Sequence, residues 1–353
     1  MTSHDSRLAE LGWKPFFSTQ ISSEEDARCR PVRVMAVHRG KIAVAGAGTE
    51  YLIAPRIPGA DAEEHRPAVG DWLLLDRESL LPMRILRRAS LFKRLAAGGR
   101  QKLQVIAANV DTLFIVASCN QDFNVARLER YLVLAREVEV NPVVVLTKMD
   151  IADRPEFFAE AARAIQPDLV VETVNARDAA SVARLAEWCG PGQTVALLGS
   201  SGVGKSTLVN SLRGSCSIAT QAVREEDGKG RHTTTVREMH RLDRGGWLLD
   251  TPGMRELQLS DAAVGLAEVF DDIVALTQEC RFSNCTHEAE PGCSVRAAMA
   301  QGRLERARLD RWRKLASEET ANSASHATRR SRADAAENAA HALSNTVGKR
   351  RRR

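Results

Sequence analysis

Apolar positions change their rhythm twice along the chain. From Pro31 to about Leu95 they fall in short runs: Val32–Val37, Lys41–Val44, Glu50–Ala54 and Asp71–Leu75. Turn-rich pieces at His38–Gly40, Gly46–Gly48 and Pro55–Gly70 separate them. Short strands at this spacing predict a small β-barrel. A five-stranded OB-type barrel fits the length, and so do other small barrels. From about Gln101 strands alternate with helices. Strands are predicted at Asp111–Ser118, Pro142–Thr147, Leu169–Val174 and Gln193–Gly199, and helices at Val125–Val138, Pro155–Ile165, Ala179–Trp188 and Lys205–Leu212. Asn124 can cap the first helix, whose Leu128, Leu132 and Ala135 share a face. Such alternation predicts a mainly parallel sheet covered by helices on both faces.

After Ser260 the pattern is helical, over Ala262–Phe270, Val295–Gln301 and Leu304–Leu315. Residues 1–30 read as a polar leader. Beyond Glu318 large apolar residues almost vanish, so 318–353 read as a disordered basic tail ending Lys349-Arg350-Arg351-Arg352-Arg353. The 353 residues suffice for two or three domains.

Composition adds little until charge is placed. Net charge is only +5, but no acid occurs between Ser79 and Val110, where Arg84, Arg87, Arg88, Lys93, Arg94, Arg100 and Lys102 lie. That excess suits a phosphate-backbone partner, or equally a solvated basic face. No apolar run approaches the ~18 residues that span a bilayer. The first ten residues lack a secretory apolar core. The expectation is a cytoplasmic chain with reduced or metal-bound cysteines.

Gly199-Ser200-Ser201-Gly202-Val203-Gly204-Lys205-Ser206 follows a predicted strand and opens a predicted helix. This is the G-x-x-x-x-G-K-[ST] phosphate loop in its required setting. Backbone N–H groups and the helix dipole would cradle phosphates. Lys205 would reach the β- and γ-phosphates, Ser206 would ligate Mg²⁺, and Thr207 could add a phosphate hydrogen bond. Asp250-Thr251-Pro252-Gly253 ends another predicted strand; Asp250 would support Mg²⁺ and the Gly253 N–H would meet the γ-phosphate. Between the two motifs, Gly228–Thr235 is a polar loop suited to a switch, with Thr233 or Thr234 reaching the metal.

A base selector is expected at Thr147-Lys148-Met149-Asp150. A carboxylate there accepts from N1–H and the 2-amine of guanine, which adenine lacks. The Lys148 stem would cover the base, and a backbone N–H of Asn175 or Ala176 would meet the guanine oxygen. In ordinary small GTPases this motif is Asn-Lys-x-Asp and follows the phosphate loop. Here it precedes that loop by about fifty residues and Thr147 stands for Asn. The set is cyclically shifted, which is permitted when every motif ends a strand on the same rim. Separately, Cys280-x₄-Cys285-x-His287-x₅-Cys293 offers three thiolates and an imidazole, the donor set of a closed structural zinc site.

Together with Val69-Gly70-Asp71-Trp72, these motifs make residues 30 to 315 or so resemble the circularly permuted RsgA-type family of small-ribosomal-subunit biogenesis GTPases. The resemblance implies a multidomain α/β fold: an OB-type barrel over 31–95, a permuted GTPase domain over 96–260 and a zinc-binding helical domain over 261–317. It implies GTP hydrolysis stimulated by the small (30S) subunit, contacts to 16S rRNA, and late maturation of that subunit. A GTP-regulated factor acting on another RNA, such as tRNA, is the competing expectation. A monomer is the default. Met254 occupies the position where many GTPases carry a water-orienting glutamine, so slow intrinsic turnover is expected. His232 could swing in to orient water, with Thr234 and Gly253 completing the catalytic set; equally, His232 could meet only RNA or solvent.

Overall fold

Apolar runs of the first half become strands of a shared sheet within one compact unit, Met1–Leu257; a second unit is Gln258–Arg353. The computed structural model describes residues 3–58, 66–95, 103–214, 237–250, 259 and 261–324. The first unit begins with α1 (Ser3–Glu10), α2 (Pro15–Ser18) and α3 (Ser23–Arg28). The stretch expected as a polar leader is therefore folded. Pro15 starts α2, and Ser22 and Glu25 cap α3 reciprocally. Leu8, Leu11 and Phe17 are buried with Trp72, whose ring lies 4.7 Å from that of Trp13, edge-on.

Five antiparallel strands follow: β1 (Cys29–His38), β2 (Lys41–Gly46), β3 (Thr49–Ile53), β4 (Trp72–Asp76) and β5 (Pro82–Ile85). β1 pairs β4 along Cys29–Arg33 and β2 along Arg33–His38, with a register shift between Val34 and Ala36. This wraps the strands around Val32, Val34, Ile42, Val44, Leu73 and Leu75. Among the described residues no ladder joins β3 to β5, so the closure of an OB barrel is not drawn by backbone pairing. β6 (Leu91–Leu95) and β7 (Leu103–Ala108) form a separate hairpin. Part of the basic run is spent internally: Arg84 grips Glu25 and Arg88 grips Asp71.

The alternating half contains β8 (Thr112–Ser118), α4 (Val125–Glu137), β9 (Asn141–Thr147), α5 (Pro155–Arg163) and β10 (Val170–Thr173). It continues with α6 (Ala179–Val182), a 3₁₀ turn (Ala183–Trp188), β11 (Thr194–Leu198), α7 (Lys205–Arg213), β12 (Arg237–Arg241) and β13 (Trp247–Asp250). Sheet order is β10-β9-β8-β11-β13-β12-β1-β2-β3. The first five are mutually parallel, as the apolar runs of β8, β9 and β11 predict, and β12 runs antiparallel to β13 and β1. All five parallel strands thus deliver their carboxyl ends to one rim.

The Val69–Trp72 turn is a joint. A Cβ on Gly70, at φ +90°, would stand 2.1 Å from the Ala108 carbonyl oxygen, so only glycine permits this approach. The buried Arg33 guanidinium donates to carbonyls of Leu11, Gly70 and Asn109. Burial lowers Arg33 to about 10, against the pull of Asp111 and Asp71.

In the second unit, α8 (Ala263–Val269), α9 (Asp271–Gln278) and α10 (Ser294–Ala300) precede a helix over 306–324, here α11. It runs past the expected end at Leu315, so 318–324 are helix rather than tail. Asn322 donates to the Leu259 carbonyl at 2.6 Å, and Ser323 accepts from the Asp261 N–H at 2.9 Å. No helix among the described residues is long and apolar enough to cross a membrane.

Candidate nucleotide site and metal cluster

β9 ends at Thr147, which is fully buried. Its hydroxyl donates to the Val203 carbonyl at 2.5 Å, with the Ala117 carbonyl 3.1 Å away as the alternative acceptor. One hydroxyl has one proton, so it serves one carbonyl at a time. Gly204 sits in the left-handed region at φ +92°, and a Cβ there would stand 3.3 Å from Thr147 Oγ1. The chain then turns through Lys148, itself left-handed at φ 61°, into a 3₁₀ turn over Met149–Ile151 that carries Asp150. The selector and the phosphate loop, read separately from the sequence, are therefore in contact. Thr147 does what its spacing did not announce: it fastens one loop to the other.

The loop after β10 is the third element of the rim. Val174 N–H bonds to Leu146 O, Asn175 N–H to Ser181 Oγ at 2.9 Å, Arg177 N–H to Asn175 Oδ1 at 3.0 Å, and Asp178 N–H to Asn175 O at 3.0 Å. Among the described bonds of residues 174–178, the Ala176 N–H is the amide left without a protein acceptor. Of the two backbone donors that the sequence offers here, the Asn175 N–H is thus already bonded to Ser181, and the Ala176 N–H has no described acceptor. The Ala176 carbonyl accepts from Ser211 Oγ on α7 at 2.6 Å; no sequence signal pointed to Ser211.

Gly199–Gly204 links β11 to α7. Val203 is buried as its anchor, while Ser201, Gly202 and Ser206 are exposed and Thr207 is half-buried. Ser200 O and Gly199 O accept from Lys205 Nζ, the latter at 2.7 Å, so the ammonium sits over the loop. The N-cap of α7 is Gly204, which has no side chain to cap it, and this leaves the first N–H groups of the helix open to an anion. Asp250 closes β13, which lies beside β11 in parallel register, and so brings its backbone to the same rim. His232, Thr233, Thr234 and Gly253 lie outside the described residues, as does Met254.

In the second unit, Cys280, Cys285, His287 and Cys293 bring their ligand atoms within 4.8 Å of one another, a group that could hold a metal ion. Cys280 Sγ lies 3.5 Å from His287 Nδ1 and 3.9 Å from Cys293 Sγ, and Cys293 Sγ lies 3.6 Å from His287 Nδ1. Cys293 caps α10, its sulfur accepting the Arg296 N–H at 3.5 Å. His287 is left-handed at φ 62°, and Arg313 fixes the bend by donating to the carbonyls of Thr286 and His287. Glu290 accepts the N–H groups of Thr286, Glu288 and Ala289 and the Thr286 hydroxyl, which holds its carboxyl far below the usual range. By contrast Cys119 and Cys189 are buried in apolar surroundings that push their thiols up to about 11 and about 12.

Among known proteins, the RsgA GTPase family model matches residues 85–260. Small ribosomal subunit biogenesis GTPase RsgA of Mesorhizobium japonicum is 49% identical over 327 residues, which span 91% of this chain and 92% of that protein. Small ribosomal subunit biogenesis GTPase RsgA 2 of Vibrio parahaemolyticus is 46% identical over 327 residues, 92% of this chain and 88% of its own. The crystal structure of YjeQ from Thermotoga maritima superposes with a TM-score of 0.60 at 24% identity, covering 81% of this chain and 97% of that one. YloQ, described as a circularly permuted GTPase, gives 0.58 at 23%, covering 84% and 97%. These two likenesses are of fold.

Proposed function

The chain belongs to the RsgA GTPase family and is a GTP hydrolase, and we propose that it hydrolyses GTP on the rim just described while acting in late maturation of the small (30S) ribosomal subunit. The names of its relatives support that role, and the subunit with its 16S rRNA is the partner and stimulator in this reading. The protein works as a cytoplasmic monomer. An OB-type barrel occupies 31–95, the permuted GTPase domain 96–260 and the zinc-binding domain 261–317, whose last helix continues to 324 before the basic tail.

One observation carries the assignment of the nucleotide: the Thr147 hydroxyl on the Val203 carbonyl, which ties the selector to the phosphate loop across 56 positions. Asp150 accepts from guanine N1–H and the 2-amine, and the Ala176 N–H donates to the base oxygen. Lys148 covers the base. Gly199–Gly204, Lys205 and Thr207 hold the phosphates; Ser206, Asp250 and Thr233 or Thr234 hold Mg²⁺, which neutralises phosphate charge when bound. His232, Thr234 and the Gly253 N–H act at the γ-phosphate. Turnover is slow until the subunit orders that loop.

Cys280, Cys285, His287 and Cys293 hold one structural zinc ion. A tetrahedral site with Zn–S and Zn–N near 2.3 and 2.0 Å separates two sulfurs by about 3.7 Å, and sulfur from nitrogen by about 3.5 Å. The separations of 3.9, 3.5 and 3.6 Å support that geometry. Four protein ligands leave no position for catalysis.

The test is phosphate release from GTP alone, with 30S subunits and with tRNA. Stimulation by subunits alone supports the reading; stimulation by tRNA alone replaces it with the other RNA partner. Asp150→Asn should move preference toward xanthosine nucleotides, and an unaltered GTP preference would remove Asp150 from base recognition.

A further inference from the structure

We infer that Ser211 is a positioning residue for guanine recognition, because its hydroxyl holds the peptide next to the Ala176 N–H from the phosphate-binding helix. The inference rests on the reading above, in which that N–H faces the base oxygen.

A serine inside a helix is a weaker helix former than alanine, and its hydroxyl by default turns back to the carbonyl four residues earlier. On α7 it does not. Ser211 Oγ reaches out of its own helix to Ala176 O at 2.6 Å, 35 positions away in sequence. The consequence lies in the peptide planes around Ala176. The plane that carries the Ala176 N–H also carries the Asn175 carbonyl, which Asp178 N–H occupies at 3.0 Å. In a trans peptide the N–H and C=O point oppositely, so this bond sets the direction of the N–H. The following plane carries the Ala176 carbonyl, and Ser211 fixes it. Ala176 is thereby clamped on both sides while its own N–H stays open.

The clamp also joins two tasks. α7 starts at Lys205, so the helix that meets the phosphates at its first turn holds the base-oxygen donor almost two turns later. Thr147 makes the matching tie between the selector and Val203. Two hydroxyls thus set the distance between base and phosphates, one from each side.

The experiment compares GDP with 6-thio-GDP, which keeps the N1–H and 2-amine but replaces the base oxygen by a weak acceptor. Affinities are measured on the full chain by displacement of a fluorescent GDP. Wild type should prefer GDP to both 6-thio-GDP and ADP. In Ser211→Ala, GDP affinity should fall about threefold to tenfold, the scale of one net hydrogen bond. 6-Thio-GDP affinity should change much less, so the ratio narrows, and Ser211→Thr should restore it. A general loosening of α7 would weaken both nucleotides together and leave the ratio alone, and that result overturns the inference. If S211A folds poorly, Ser211→Cys, similar in size with a weaker donor, carries the same comparison. A wild type indifferent between GDP and ADP would instead overturn the guanine reading itself.

Discussion

Valine would fill the volume of Thr147 closely, yet it would remove the one O–H that now bonds to Val203 O, or to Ala117 O as its alternative. A buried polar group stripped of its partner costs roughly 1–3 kcal/mol. Thr147→Val should therefore weaken GTP and GDP alike by about tenfold, read by nucleotide titration, with little change in turnover at saturation. Equal affinity in the variant would show that the tie does not matter. Residues of this kind mark the limit of what the string of letters conveys. Lys205, Asp150 and the Cys/His set were legible because each motif is contiguous and ends a strand or brackets a turn. Ser181 and Ser211 were not, and Thr147 was legible as part of the selector but not as the tie to Val203, since a hydroxyl's partner is chosen by the fold. That the Asn175 N–H is bonded while the Ala176 N–H has no described acceptor likewise shows only in the bonds of the folded chain.

Among elements, α3 shows how surface chemistry sets acid sensitivity. Arg84 donates to both carboxylate oxygens of Glu25, and with the Ser22 N–H it holds the Glu25 carboxyl down at about 2 against an ordinary 4.5. The folded pKa is the depressed one, so this contribution is complete above about 4.5 and is lost as pH falls towards 2. Both side chains are about a third exposed, so its size is that of a screened surface pair. The urea midpoint of wild type should exceed that of Glu25→Gln at pH 6, and the gap should narrow steadily from pH 4.5 down to pH 2.5. A gap that is constant with pH would assign the effect to packing. Elements rich in apolar periodicity were predicted well, including β8, β9, β11 and α4. β12 was missed because Arg-Glu-Met-His-Arg has one buried apolar residue to advertise it. The opening helices were missed for a related reason: Leu8, Trp13 and Phe17 are sparse in sequence, and the Trp72 they cover lies far along the chain.

At the scale of the whole molecule, the two compact units differ in what their residues offer for stability. The second has few large buried side chains around Cys280–Cys293, so a bound ion there should contribute on the order of 10 kcal/mol, as structural zinc does in small domains. Elemental analysis should find one zinc per chain. Stripping it with a chelator should raise hydrogen exchange across residues 280–313 while leaving β8, β9 and β11 protected. Unchanged exchange would mean the helices hold without metal. The first unit relies on continuity instead. β12 is hydrogen-bonded to β13 on one side and, through Ala36 and Val37, to β1 on the other. Anyone trimming the barrel away to isolate the nucleotide half would therefore uncover raw strand edge on β12, and edges of that kind recruit other chains. Such a fragment would need a lysine or proline set into that edge to stay soluble, because what looks like a detachable module also serves as the lid on a sticky seam.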